Sequence, residues 1–148
     1  MTLTETAIEI AAQPSTVFRF AAATERWPDY LPHYRRVRIL AETGTTRIVE
    51  MAACRGWIPV RWTAEQTNDP LRPHIAFRHV RGWTRGMEVE WRFEPIPIGT
   101  RVSIEHRLSF RFPVAAKWLE RHVVCDFFIS YVAKRTLARM KVLAEASS

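Results

Sequence analysis

Three histidines and one aspartate of this chain have the types and spacing to do chemistry: His79, His106, His122 and Asp126. A neutral imidazole can take a proton from an acidic carbon flanked by two carbonyls, and a carboxylate can orient the ring. His122 and Asp126 stand at i and i+4, so a helix would place them one turn apart on one face. A ring closure of aldol type needs such a base and donors for the enolate. The same imidazoles would serve without chemistry if they bonded to backbone or to each other in a wet core. The spacing of His122 and Asp126 would permit a shared metal ion. No compact His/Cys pattern accompanies it, and neither metal nor cofactor is expected.

The first two histidines sit in segments that alternate apolar and polar residues. His74 to Arg81, Met87 to Glu94 and Arg101 to Arg111 each read as a strand with one buried side. With turns near Thr84 and Ile98 they form a meander. Arg78 then lies beside Glu90, Glu90 beside Glu105, and Glu88 beside Arg107, so opposite charges share one face. The other face carries Phe77, His79, Met87, Val89, Trp91, Ile104, His106 and Leu108. In this register His79, Val89 and His106 form one row, with the imidazoles ~10 Å apart across two strand spacings. Four further strands are read at Thr4 to Ala12, Tyr34 to Ala41, Arg47 to Cys54 and Ile58 to Thr67. The last of these adds Trp62 and Gln66 to the inner face.

Pro14 opens a short helix over Ser15 to Ala23. A second helical piece starts at Thr24 and is stopped by Pro28 or Pro32. After Pro113 the chain has neither Gly nor Pro, and one amphipathic helix is predicted from Ala115 to about Ala144. At ~1.5 Å per residue it is roughly 45 Å long. Its polar stripe includes Lys134, Arg135, Lys141 and Glu145. Its buried face centres on Trp118, His122, Cys125, Ile129, Ala133, Thr136 and Met140, with Asp126 at the edge. A helix of that length hides its apolar face best inside a curved antiparallel sheet, and such a grip leaves a cavity. The fold class expected is α+β: a seven-stranded antiparallel sheet around a long C-terminal helix, with two short helices after strand 1.

The 148 residues fit one domain, 1–148, with its own core. No stretch resembles a signal peptide or reaches membrane-spanning length. The two cysteines, Cys54 and Cys125, fit no metal or redox spacing and read as reduced thiols of a cytoplasmic protein. The net charge of +7 comes mostly from arginine. One cluster, Arg35-Arg36-Arg38, stands out, without a basic helix of interleaved aromatics, so no nucleic-acid partner is expected. Trp27, Trp57 and Trp83 fall in loops or at element ends; Trp57 and Trp83 are placed to rim a cavity or touch a membrane.

Several segments together resemble the polyketide cyclase/dehydrase group of the START and Bet v 1-like superfamily. They are Ile8-Glu-Ile-Ala-Ala-Gln-Pro14 with Val17-Phe18, Glu25-Arg-Trp27-Pro28, Tyr30-Leu-Pro-His33, Gly86-Met-Glu-Val-Glu-Trp91, Gly99-Thr-Arg-Val102 and Arg135-Thr-Leu-Ala-Arg-Met140. The resemblance implies a helix-grip fold and a cavity for an apolar or polyaromatic guest. Similar aromatases use a cavity arginine and a tyrosine; here His79 is the nearest match to the arginine, and Gln66 stands where a basic group would help.

The expected function is binding of a hydrophobic small molecule: a polyketide-like aromatic, a quinone or a lipid. The wall would comprise Trp62, Gln66, Phe77, Met87, Val89, Trp91, Ile104, Leu108, Trp118, Cys125, Asp126 and Ile129. One alternative is a polyketide cyclase/aromatase (dehydratase) with His79, His106 or His122 as general base. The other is a module that docks on a membrane or partner through Arg35, Arg36, Arg38 and the exposed tryptophans. Oligomeric state is not legible.

Overall fold

The computed structural model describes residues 2–82, 84–108 and 127–147. Strand β1 (Thr2–Ile10) leads into helix α1 (Pro14–Ala22), a 3-10 turn (Thr24–Arg26) and helix α2 (Trp27–Tyr30). Six strands follow: β2 (Tyr34–Thr43), β3 (Thr46–Arg55), β4 (Ile58–Asp69), β5 (His74–Gly82), β6 (Glu88–Ile96) and β7 (Gly99–Leu108). Helix α3 (Ser130–Ala146) comes last, preceded by a π-type turn over residues 127–129. Pro14 begins α1 as predicted. Pro28 does not stop the second piece; it sits in the first turn of α2, where a missing N–H costs nothing.

The seven strands form one antiparallel sheet in the order β1-β7-β6-β5-β4-β3-β2. Tight turns join β2 through β7 in sequence. β1 and β2 stand at opposite edges, so α1 and α2 must carry the chain across the sheet, and they close one end of it. Helix α3 lies on the concave face, packed against β1 and α1. Ile129, Ala133, Thr136 and Met140 are buried there as predicted, together with Val132, Leu137 and Ala144. This is the helix-grip architecture. Residues 115–126 of the predicted helix, with Trp118, His122, Cys125 and Asp126, lie outside the described residues, and so does Trp83. Lys134 is exposed, but Lys141 is only partly so. Its Nζ donates to the Glu9 carbonyl at 3.0 Å and pairs with Glu145 at 2.7 Å.

The strand register decides where the candidate residues stand. β6 and β7 pair as expected, with Val89 opposite His106 and Glu88 opposite Arg107. β5 is shifted by two residues: Phe77, not His79, faces Val89, and Arg78 faces Glu88. His79 instead bonds across to Met87 and Gly86, at 2.9 and 2.8 Å. The turn centre lies one residue earlier than predicted, which moves the register by two. An even shift keeps every side chain on its face. The expected row of His79, Val89 and His106 therefore becomes Phe77, Val89 and His106, with His79 displaced toward the turn. Gly82 (φ 104°) faces Trp62 beside a bulge in β5, where Val80 is the extra residue against Thr63 and Ala64. A Cβ there would meet the Arg61 carbonyl oxygen at 2.6 Å, so glycine alone allows this approach.

The convex face carries paired charge. Arg92 lies 2.7 Å from Glu90 and 3.3 Å from Glu105, and Arg107 reaches Glu88, Glu90 and Glu105 at 3.5–3.6 Å. The Glu90–Glu105 pair foreseen from sequence is thus screened from both sides.

Candidate functional site

Between α3 and the concave face lies a cavity of about 60 Å³. Trp62, Phe77, Met87, Val89, Trp91, Ile104 and Ile129 of the expected wall line it, together with the candidate bases His79 and His106. Gln66 and Leu108 face the same side of the sheet but stand outside the wall. Gln66 is wholly buried under the start of the helical segment: it accepts from Thr24 Oγ1 at 2.7 Å and donates to the Ala22 carbonyl and Asn68 Oδ1. Its amide is spent on holding that end of the fold together. Leu108 is wholly buried core.

Other residues complete the wall. Trp27, expected at a loop or element end, is 2 % exposed and central. Its ring packs on Tyr34, Phe77 and Trp91 at 4.9, 6.1 and 5.8 Å between centroids. Tyr34, Met51, Thr84, Val132 and Thr136 also face the space. The signal for Trp27 was present, since a large aromatic beside a turn of helix that closes a sheet end has its apolar face toward the core.

The polar groups form a sparse set. His79 stacks on Trp62 (5.5 Å, 8° between planes), and its Nδ1 lies 2.6 Å from Thr84 Oγ1. His106 projects from β7 with a buried Nδ1 that has no hydrogen-bond partner among the described residues; the same holds for Trp27 Nε1. Behind the wall, His33 reaches Thr136 Oγ1 at 2.9 Å. Thr136 donates its own proton to the Val132 carbonyl at 2.7 Å, so its oxygen accepts from His33 Nε2–H. His33 Nδ1 is then a buried acceptor with no partner among the described residues. Sequence reading did not single out this pair, whose members are 103 residues apart.

Among the described residues no charged side chain lines the cavity. Burial lowers His106 from 6.5 to about 4. Burial, and then the neighbouring His106, lower His79 to about 3. His33 falls to about 4 through burial and the charge of Arg135, against a bond to the Val132 backbone. Burial raises the Tyr34 phenol. At neutral pH the described wall is therefore neutral and aromatic, and it can give and accept hydrogen bonds.

The family model described as polyketide cyclase / dehydrase and lipid transport matches residues 10–122. Among solved structures, a protein from Thermus thermophilus is 23 % identical, with TM-score 0.85 over 99 % of either chain. The Zhui aromatase/cyclase from Streptomyces sp. R1128 is 21 % identical, with TM-score 0.85 over 97 % of this chain and 93 % of its own. A STAR-related lipid transfer protein from Xanthomonas axonopodis is 14 % identical, with TM-score 0.65 over 95 % and 84 %. At these identities the likeness establishes the fold. No curated protein sequence matches the chain.

Proposed function

The chain belongs to the polyketide cyclase/dehydrase and lipid-transport family, and from that premise we propose that its cavity binds a flat apolar molecule bearing a carbonyl or hydroxyl oxygen. One observation carries the reading. In a wall of tryptophan and aliphatic side chains, Trp27 Nε1 and His106 Nδ1 are buried without a partner among the described residues. Buried polar atoms left unpaired are costly, roughly 1–3 kcal/mol each. Water or an oxygenated guest removes that cost, and a guest also buries apolar surface. Quinones and polyketide-like aromatics have the right chemistry, and a lipid headgroup oxygen meets the same demand.

The neutral histidines favour holding over turnover. A general base works best with a pKa near the working pH. His79 at about 3 and His106 at about 4 are far below it. They are suited to bond a ligand oxygen rather than to carry off a carbon-bound proton. The space must also widen to admit its guest, because one water takes about 10–15 Å³ of such volume. Met51 and Met87, unbranched and adaptable, stand in the wall where it would yield.

The test is titration with 1,4-naphthoquinone, read by tryptophan quenching. His106→Leu should weaken binding about tenfold, the worth of one hydrogen bond at the upper end of its range. Unchanged affinity would overturn the reading. Turnover of a poly-β-keto thioester, lost in the same variant, would replace it with the cyclase.

A further inference from the structure

The positive charge of this chain is not spread evenly. On the convex face and toward the β2–β3 turn most arginines meet carboxylates, Arg47 with Glu25 and Glu42, Arg78 with Glu65 and Arg101 with Glu5, while exposed Arg26 and Arg72 have none within 4.0 Å among the described residues. At the opposite end, where β3 turns into β4 and β5 into β6, the pattern changes. Arg36, Arg61, Arg81 and Arg85 are exposed, as are Lys134 and Arg135 early in α3. Among the described residues none of these six has a carboxylate within 4.0 Å. Of the basic cluster read from sequence, Arg35 bonds Cys54 Sγ at 3.2 Å and Arg38 pairs with Glu50 at 3.9 Å, leaving Arg36.

Trp57 stands at the tip of this end, 89 % exposed beyond Gly56. Next to it Arg55 lies over Phe127 (4.1 Å) and Tyr131 (4.7 Å) and donates to the Phe127 carbonyl. Phe127 is itself 38 % exposed. The described wall comes closest to solvent here: its partly exposed residues are Val60, three residues after Trp57, and Phe128, next to Phe127.

We propose that this end docks on an anionic phospholipid surface, with Trp57 among the headgroups and, beside it, the cations that meet no carboxylate among the described residues. An indole with an apolar body and one N–H is favoured at the membrane–water boundary. Each basic residue held near an anionic leaflet adds to the attraction, and their effects accumulate. A single projecting indole ringed by cations differs from the row of stacking aromatics that a single-stranded nucleic acid requires. The geometry also sets the closest approach of cavity to solvent against the apolar phase from which a hydrophobic guest would come. That use of the dock rests on the ligand reading; the docking itself does not.

The experiment is flotation with vesicles of pure phosphatidylcholine and with vesicles holding roughly 30 % phosphatidylserine, at low salt and at about 0.15 M. The protein should bind the anionic vesicles, more weakly as salt rises, and leave the neutral ones. Trp57→Ala should lose about tenfold, and Arg61→Gln and Arg85→Gln roughly fivefold each, the worth of one basic residue at the surface. All three should keep the wild-type affinity for 1,4-naphthoquinone, so a failed dock is distinct from a failed cavity. Equal binding to both vesicles, no binding, or indifference to the three substitutions would each overturn the proposal. So would tighter binding to a DNA oligonucleotide or to polyglutamate at about 0.15 M salt, which would assign the surface to another partner.

Discussion

β5 carries two histidines five residues apart, and the odd spacing sends them to opposite sides of the sheet. On the convex side His74 Nε2 lies 2.8 Å from Glu90, whose other oxygen is 2.7 Å from Arg92. The bond from His74 is the main reason that the Glu90 carboxyl is held below its usual range; Arg92 and Arg107 add to it. On the concave side His79 has an indole against its face, a threonine hydroxyl at its edge and, among the described residues, no charged neighbour in the wall. The residue type is the same and the strand is the same. The pleat alone decides whether the imidazole joins an ion-pair network at the water or a neutral cavity. Function belongs with the second, because there polar atoms have no partner among the described residues.

If that contrast is right, the two faces respond very differently to substitution. The largest effect is expected inside: Trp27→Ala should cost about 3–5 kcal/mol, since it empties the centre of an aromatic cluster. Denaturant titration measures it. An outcome near zero would mean that the concave side is not packed as described.

Acid should separate the faces next. Each imidazole ionises near 6.5 in the unfolded chain, but His33 and His106 do so only near 4 and His79 near 3 when folded. Between those values the unfolded state binds more protons, so the contribution of these histidines to stability falls as pH drops below about 6.5 and is flat above it. The slope is up to ~1.4 kcal/mol per pH unit for each histidine. Melting curves between about pH 7 and 5 read it directly. His106→Leu should make the dependence shallower; an unchanged slope would remove His106 from the neutral set.

The smallest effect is expected outside. Glu90→Gln should cost about 1 kcal/mol or less, because partly solvated pairs with several partners contribute little singly. A loss comparable to that of Trp27→Ala would erase the distinction between the faces.

Much of this was legible in the sequence, and the failures share a cause. Alternation located the strands and put His79 and His106 on the inner face, because side-chain direction has period two. The exact partner across the hairpin was not legible. It depends on how Gly82 to Gly86 turn, and a turn centre shifted by one residue moves the register by two. Gln66 was placed on the correct face but at the wrong height, since alternation does not say which part of a strand a helix will cover. The bond between His33 and Thr136 is set by the crossing of α1 and α2 over the sheet, a long-range arrangement with no local period.

The most direct test is the nitrogen NMR spectrum of the histidine side chains at neutral pH, before and after 1,4-naphthoquinone is added. His79 and His106 should be neutral, the guest should move the ring-nitrogen signals of His106, and those of His74 should stay in place. A protonated ring at His79 or His106, or a guest that moves His74 and leaves His106 unmoved, would contradict this reading of the site.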